Sequence, residues 1–122
     1  MPKDRLKWIQ KDSKSVLVVD YSDLKEDQMI AVLAKGAEML RENSQPVFVI
    51  SIYNDHCFVT PKFMRVVESL TNELKHLLTG QAVVGLSTVK KMILKGYNYT
   101  FNFSIQNFES VDEALEYILS DK

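Results

Sequence analysis

Ala82-Val83-Val84-Gly85-Leu86-Ser87-Thr88-Val89-Lys90-Lys91 decides the fold, because an apolar run passes directly into a helix start. Ala82 to Leu86 read as a short buried strand, covered on both faces and so under no pressure to alternate. Ser87 can cap a helix whose apolar positions are Val89, Met92, Ile93 and Tyr97. A strand joined so directly to a helix is half of a strand-helix-strand crossover, which implies parallel neighbours and a right-handed connection.

The same step recurs upstream. Val47 to Ile52 is nearly all apolar and reads as the middle strand of the sheet. After a polar stretch, Thr60 and Pro61 begin a helix: the hydroxyl caps free N–H groups and the proline takes the position where its missing N–H costs nothing. Phe63, Val66, Val67, Leu70, Leu74 and Leu77 form its stripe, and Gly80 is expected to close it. Between Lys25 and Glu42, Met29, Leu33, Gly36, Ala37 and Leu40 recur at helical spacing, with Asn43, Ser44 and Pro46 as the stop. Earlier still, Leu6 and Trp8 alternate with polar neighbours, Asp12 to Lys14 interrupt, and Val16 to Val19 resume, which predicts a hairpin. Downstream, Phe101, Phe103 and Ile105 alternate with polar residues as in an edge strand. Ser110 with Glu113 is a capping-box pattern before a closing helix striped by Val111, Ala114, Leu115 and Ile118. The expected order is ββαβαβαβα: an α/β chain with a mixed, largely parallel sheet and four helices.

At 122 residues, 46% of them hydrophobic, the chain suits a single domain over 1–122. Fifteen basic and sixteen acidic residues nearly cancel, so no overall field points to nucleic acid or an anionic membrane. Its apolar runs are far shorter than the roughly twenty residues of a membrane span. A polar N-terminus and a single cysteine, Cys57, place the expectation in the cytoplasm, with no internal disulfide.

The hairpin, the three strand-helix steps and the Ala82–Lys91 segment resemble the STAS domains, the anti-sigma factor antagonist fold. The chain is similar to small, mostly uncharacterised stand-alone bacterial members with an A-V-V-G-x-x-x-x-K-K stretch and a terminal F-x-S-x-x-E-A-L-like helix, here Phe108 to Leu115. The resemblance covers nearly the whole chain, and its motifs are core and capping patterns that specify architecture before activity. It implies a non-enzymatic regulatory module acting through a protein partner. In the signalling members a serine at the start of the helix after the central strand, within an Asp-Ser-Ser-Gly-Leu-like motif, is phosphorylated. Here the region reads Asp55-His56-Cys57-Phe58-Val59-Thr60-Pro61-Lys62-Phe63, without the preceding acid or the following glycine. Thr60 is the one hydroxyl near the right place. A phosphate there would lie near a helix N-terminus; the plain alternative is an N-cap beside Pro61.

Ligands of open parallel sheets lie beyond the carboxyl ends of the strands. Three loops qualify: Asp20, Tyr21 and Ser22; Tyr53 to Cys57, with Asp55 and His56; and Gly85 to Thr88. Gly85, Ser87 and Thr88 at a helix start, with Lys90 and Lys91 nearby, could receive an anion, against the reading of a strand end plus a serine cap. A small anionic or lipid-like ligand at these ends is therefore the competing function. The partner-binding reading uses the surface around the start of the second helix. Edge strands, and the aromatics of 97–108, also offer a homodimer surface, against which stands coverage by the last helix. An enzyme built on Asp20, His56 and Cys57 ranks third, because adjacent residues seldom orient toward one another. Two histidines, one cysteine and no clustered carboxylates do not make a familiar zinc site, and no cofactor is expected. Pro2 leads a charged segment and so does not suit a tautomerase base. Asp20 with Asp55 gives half of a receiver-domain acid pattern.

Overall fold

The computed structural model describes residues 5–11, 14–43, 45–87, 90–92, 94–96 and 105–120. The hairpin forms as β1 (Leu6–Lys11) and β2 (Lys14–Asp20), antiparallel, with Leu6 opposite Val19 and Trp8 opposite Leu17. Alternation then divides β2: Leu17 and Val19 join one core, Val16 and Val18 the other. The first helix, α1 (Glu26–Glu42), starts where the Lys25 N–H donates to the Gln28 side chain at 3.0 Å. Strand β3 (Val47–Ile52) falls where the apolar run predicts. Helix α2 (Pro61–Leu74) opens with the Phe63 N–H donating to Thr60 Oγ1 at 3.1 Å.

Strand β4 (Leu78–Val84) begins before the expected Ala82 and ends before the expected Leu86, and the end of the second helix is corrected with it. Gly80 does not close the second helix. That helix ends at Leu74, a 3-10 turn (Lys75–Leu77) follows, and Gly80 lies inside β4. The physical reason is the Phe48 ring on β3: a Cβ on Gly80 would lie 2.6 Å from its edge. The glycine serves close packing, as it often does within a strand. His76 is exposed in the turn.

A helical segment, α3, covers 90–92 and 94–96, and β5 (Gln106–Phe108) pairs parallel with β4. Ile105 is buried just before β5. Phe101 and Phe103, on which with Ile105 the edge-strand expectation rests, lie outside the described residues, and the strand that is placed begins only after Ile105. Helix α4 (Val111–Ser120) carries the predicted cap: the Glu113 N–H donates to Ser110 Oγ, and the Glu113 carboxylate accepts from the Glu109 N–H, each at 3.1 Å.

The sheet order is β1-β2-β3-β4-β5, antiparallel at the first pair and parallel thereafter, so β3 is central as expected. Helices α1 and α2 cover one face, on Leu17, Val19 and Val49; α4 covers the other, on Val16, Ile50 and Ala82. The expected mixed α/β architecture is the one observed. Among the described residues, no helix is long and apolar enough to cross a membrane.

Candidate functional site

The layer beneath α1 and α2 is not filled. A partly open cavity of about 100 Å³ lies between these helices and the sheet, lined mostly by aliphatic side chains such as Leu17, Leu40, Val49, Val67 and Leu70. Protein interiors pack nearly as densely as organic crystals, and a site for one water needs only roughly 10–15 Å³. An engineered apolar cavity of roughly 150 Å³ admits benzene or xenon. The space here is thus of small-molecule size. Its local cause is visible in α1, where Gly36 and Ala37 present little volume to the sheet; a Cβ on Gly36 would meet only ordinary contacts, the nearest at 3.5 Å.

The cavity reaches the carboxyl ends of the parallel strands, where Tyr21, Tyr53, Leu86 and Lys90 line it. Backbone ladders continue past the strands: the Tyr21 N–H donates to the Ile52 carbonyl and the Tyr53 N–H to the Val84 carbonyl, both at 2.8 Å. These bonds place the two tyrosines side by side, with ring centroids 5.2 Å apart and an interplanar angle of 16°. Phe63, at the start of α2, meets Tyr21 edge-on at 5.4 Å. Tyr21 is fully buried, and burial, with a smaller contribution from Tyr53, holds its phenol pKa well above the ordinary tyrosine value. It remains a neutral hydroxyl.

The loops are tied to one another through Asn54. Its Nδ2 donates to Asp23 Oδ1 at 2.9 Å, and its Oδ1 accepts the N–H groups of Asp23 and His56, each at 3.1 Å. Asp23 adopts φ 64°, a conformation that aspartate tolerates better than most residues. Lys90 closes the arrangement from α3, donating from Nζ to the Asn54 carbonyl at 3.0 Å and the Cys57 carbonyl at 3.2 Å.

The remaining candidates separate. Asp20 accepts from the Ser22 N–H at 2.9 Å and the Ser22 hydroxyl at 2.6 Å, and Arg5 lies 3.7 Å from its carboxylate. That carboxylate holds its own turn. Asp55 and His56 are exposed. Cys57 is buried and its thiol donates to the Asn54 carbonyl at 3.1 Å; among the described residues no hydrogen bond joins it to the His56 ring. Thr60 Oγ1 caps α2 and also donates to Glu26 Oε2. Gly85 has φ 86°, and a Cβ there would lie 2.2 Å from the Tyr53 carbonyl oxygen, so only glycine fits. Ser87 caps α3, with its Oγ accepting the Lys90 N–H at 3.3 Å and its carbonyl the Lys91 N–H at 2.9 Å. Thr88 lies outside the described residues.

Sequence reasoning placed Tyr53 and Lys90 at this end and missed the cavity, Asn54 and the part played by Tyr21. Faint signals existed: Ser51 and Gln81 interrupt two apolar strands on the same face, and both line the cavity.

No family model and no curated protein matches the chain. Among solved structures it is similar to a protein of the DUF3478 family from Shewanella loihica PV-4, an uncharacterised protein with a SpoIIAA-like fold. The likeness has a TM-score of 0.61 at 11% identity and covers 92% of this chain and 90% of that one. The fold is SpoIIAA-like. The STAS-type resemblance read from the hairpin and the strand-helix steps therefore holds at the level of architecture. A SpoIIAA-like fold at this identity fixes the framework; the cavity, the tyrosine pair and the Lys90 bridge are features of this chain's own residues.

Proposed function

We propose that this SpoIIAA-like domain is a non-enzymatic module that binds a small, largely apolar ligand, as a carrier or sensor. The observation that carries the reading is the cavity beneath α1 and α2, which extends to the strand ends where α/β sheets commonly bind ligands. Apolar walls supply affinity by removing hydrocarbon from water, and the few polar groups at the rim supply orientation.

The partner-switching reading rests on Thr60, and its surroundings favour the cap. The hydroxyl is engaged by Phe63 and Glu26 at once, and a phosphate there would stand against the Glu26 carboxylate. A protein-contact role draws support from Phe58 and Met92, which are 52% and 70% exposed in the loop before α2 and in α3.

Native mass spectrometry of the freshly purified chain, before and after addition of 1-pentanol, tests the reading. Non-covalent mass is expected on the natural chain and not on Ala37→Met, in which the longer side chain occupies the space. A bare chain under both conditions would contradict it.

A further inference from the structure

Two polar groups of the cavity lack the partner their chemistry calls for. Tyr21 is 2% exposed and lines the cavity, yet among the described residues its hydroxyl has no hydrogen-bond partner. Buried hydroxyls are normally satisfied, so one without a partner on a residue that lines a cavity points to a bound group that completes it. Lys90 lines the same cavity. Its ammonium meets two carbonyl oxygens and, at 3.8 Å, the Cys57 sulfur, a weak acceptor. Among the described residues no carboxylate lies within ion-pair reach of it. A half-buried cation held only by uncharged acceptors orients a positive charge without neutralising it.

We propose that the cavity takes a short aliphatic monocarboxylate, its tail beneath α1 and α2, its charge balanced by Lys90 and its second oxygen accepting from the Tyr21 hydroxyl. This rests on the reading of the cavity as a ligand site. The dimensions set the tail: with roughly 150 Å³ sufficient for the six carbons of benzene, about 100 Å³ suits a tail of about four carbons. Tyr21 is suited to the donor role, because its burial keeps the phenol protonated. Lys90 is held in place by the backbone of the loop that carries Asn54 and Cys57, so little side-chain freedom is lost on binding.

The test uses the full chain with labelled methyl groups, titrated at neutral pH with pentanoate and, separately, with 1-pentanol. Shifts are read at Leu40 and Val67 on the cavity face and at Val16 and Ile118 on the opposite face. Pentanoate is expected to bind about tenfold or more tighter than 1-pentanol, the scale of one charge-assisted hydrogen bond, while both move the cavity methyls alone. Lys90→Met should abolish the preference, Lys90→Arg should restore most of it, and Tyr21→Phe should weaken pentanoate several-fold. Equal affinities for the two probes, or a preference that survives Lys90→Met, would overturn the carboxylate proposal and leave the cavity reading standing. Failure of both probes to move Leu40 and Val67 would overturn the two together.

Discussion

The two faces of the sheet are built from the same strands and packed to different ends. On one, α4 sets Ala114 and Ile118 against Val16, Ile50 and Ala82, and every one of these side chains is buried. On the other, α1 and α2 together span Leu17, Val19 and Val49 and leave a cavity between them. A single helix can settle into the sheet until contact is complete. Two helices that also pack on each other are less free to settle, and where the residues facing the sheet are small, as at Gly36 and Ala37, space is left unfilled. One face carries stability, and the other trades part of its packing for space.

The largest effect should come from the solid face. Ile50→Ala removes a fully buried side chain there and should cost roughly 2–5 kcal/mol in a denaturant titration, the usual range for such truncations. A matched pair sharpens the contrast. Ala114→Met in α4 should cost about 1–3 kcal/mol through overpacking, whereas Ala37→Met in α1 should fall within about 1 kcal/mol of the natural chain because the cavity accepts the added carbons. Equal losses in the two would break the comparison. The glycines give a smaller version of it. Gly80→Ala drives a methyl into the Phe48 ring and should lower the melting temperature. Gly36→Ala meets only ordinary contacts and should raise stability by roughly 0.5–1 kcal/mol, the helix-interior advantage of alanine.

The smallest effect depends on pH. The Tyr21 pKa is raised in the folded protein, so the folded state holds this proton more tightly than the unfolded chain does. The resulting stability is fully present below the unfolded tyrosine value of about 10 and declines as pH rises from there toward the folded value. Urea midpoints should fall through this alkaline window, and Tyr21→Phe should flatten the decline.

Much of the framework was legible in the sequence. Val47–Ile52, the Thr60–Pro61 start and the Ser110–Glu113 cap are local patterns, and each is where local physics places it. Gly80 misled because a glycine after an apolar helical stripe reads as a C-terminal cap; what requires it is a phenylalanine thirty-two positions away. The site was less legible for the same reason. Gly85, Ser87 and Thr60 stood out as loop residues, and the structure uses them for backbone geometry and capping. The cavity is a shortfall of volume among side chains from three strands and three helices, which no short window of sequence displays. Tyr21 carries no motif, and its open hydroxyl exists only once Tyr53 and Phe63 have closed around the ring.

The most direct test of the account is a crystal of the protein pressurised with xenon, which enters apolar cavities without needing a polar partner. The account predicts xenon between the sheet and the α1–α2 pair, beside Leu40 and Val67, with none against α4. Xenon absent from that layer, or seated instead between α4 and the sheet, would contradict it.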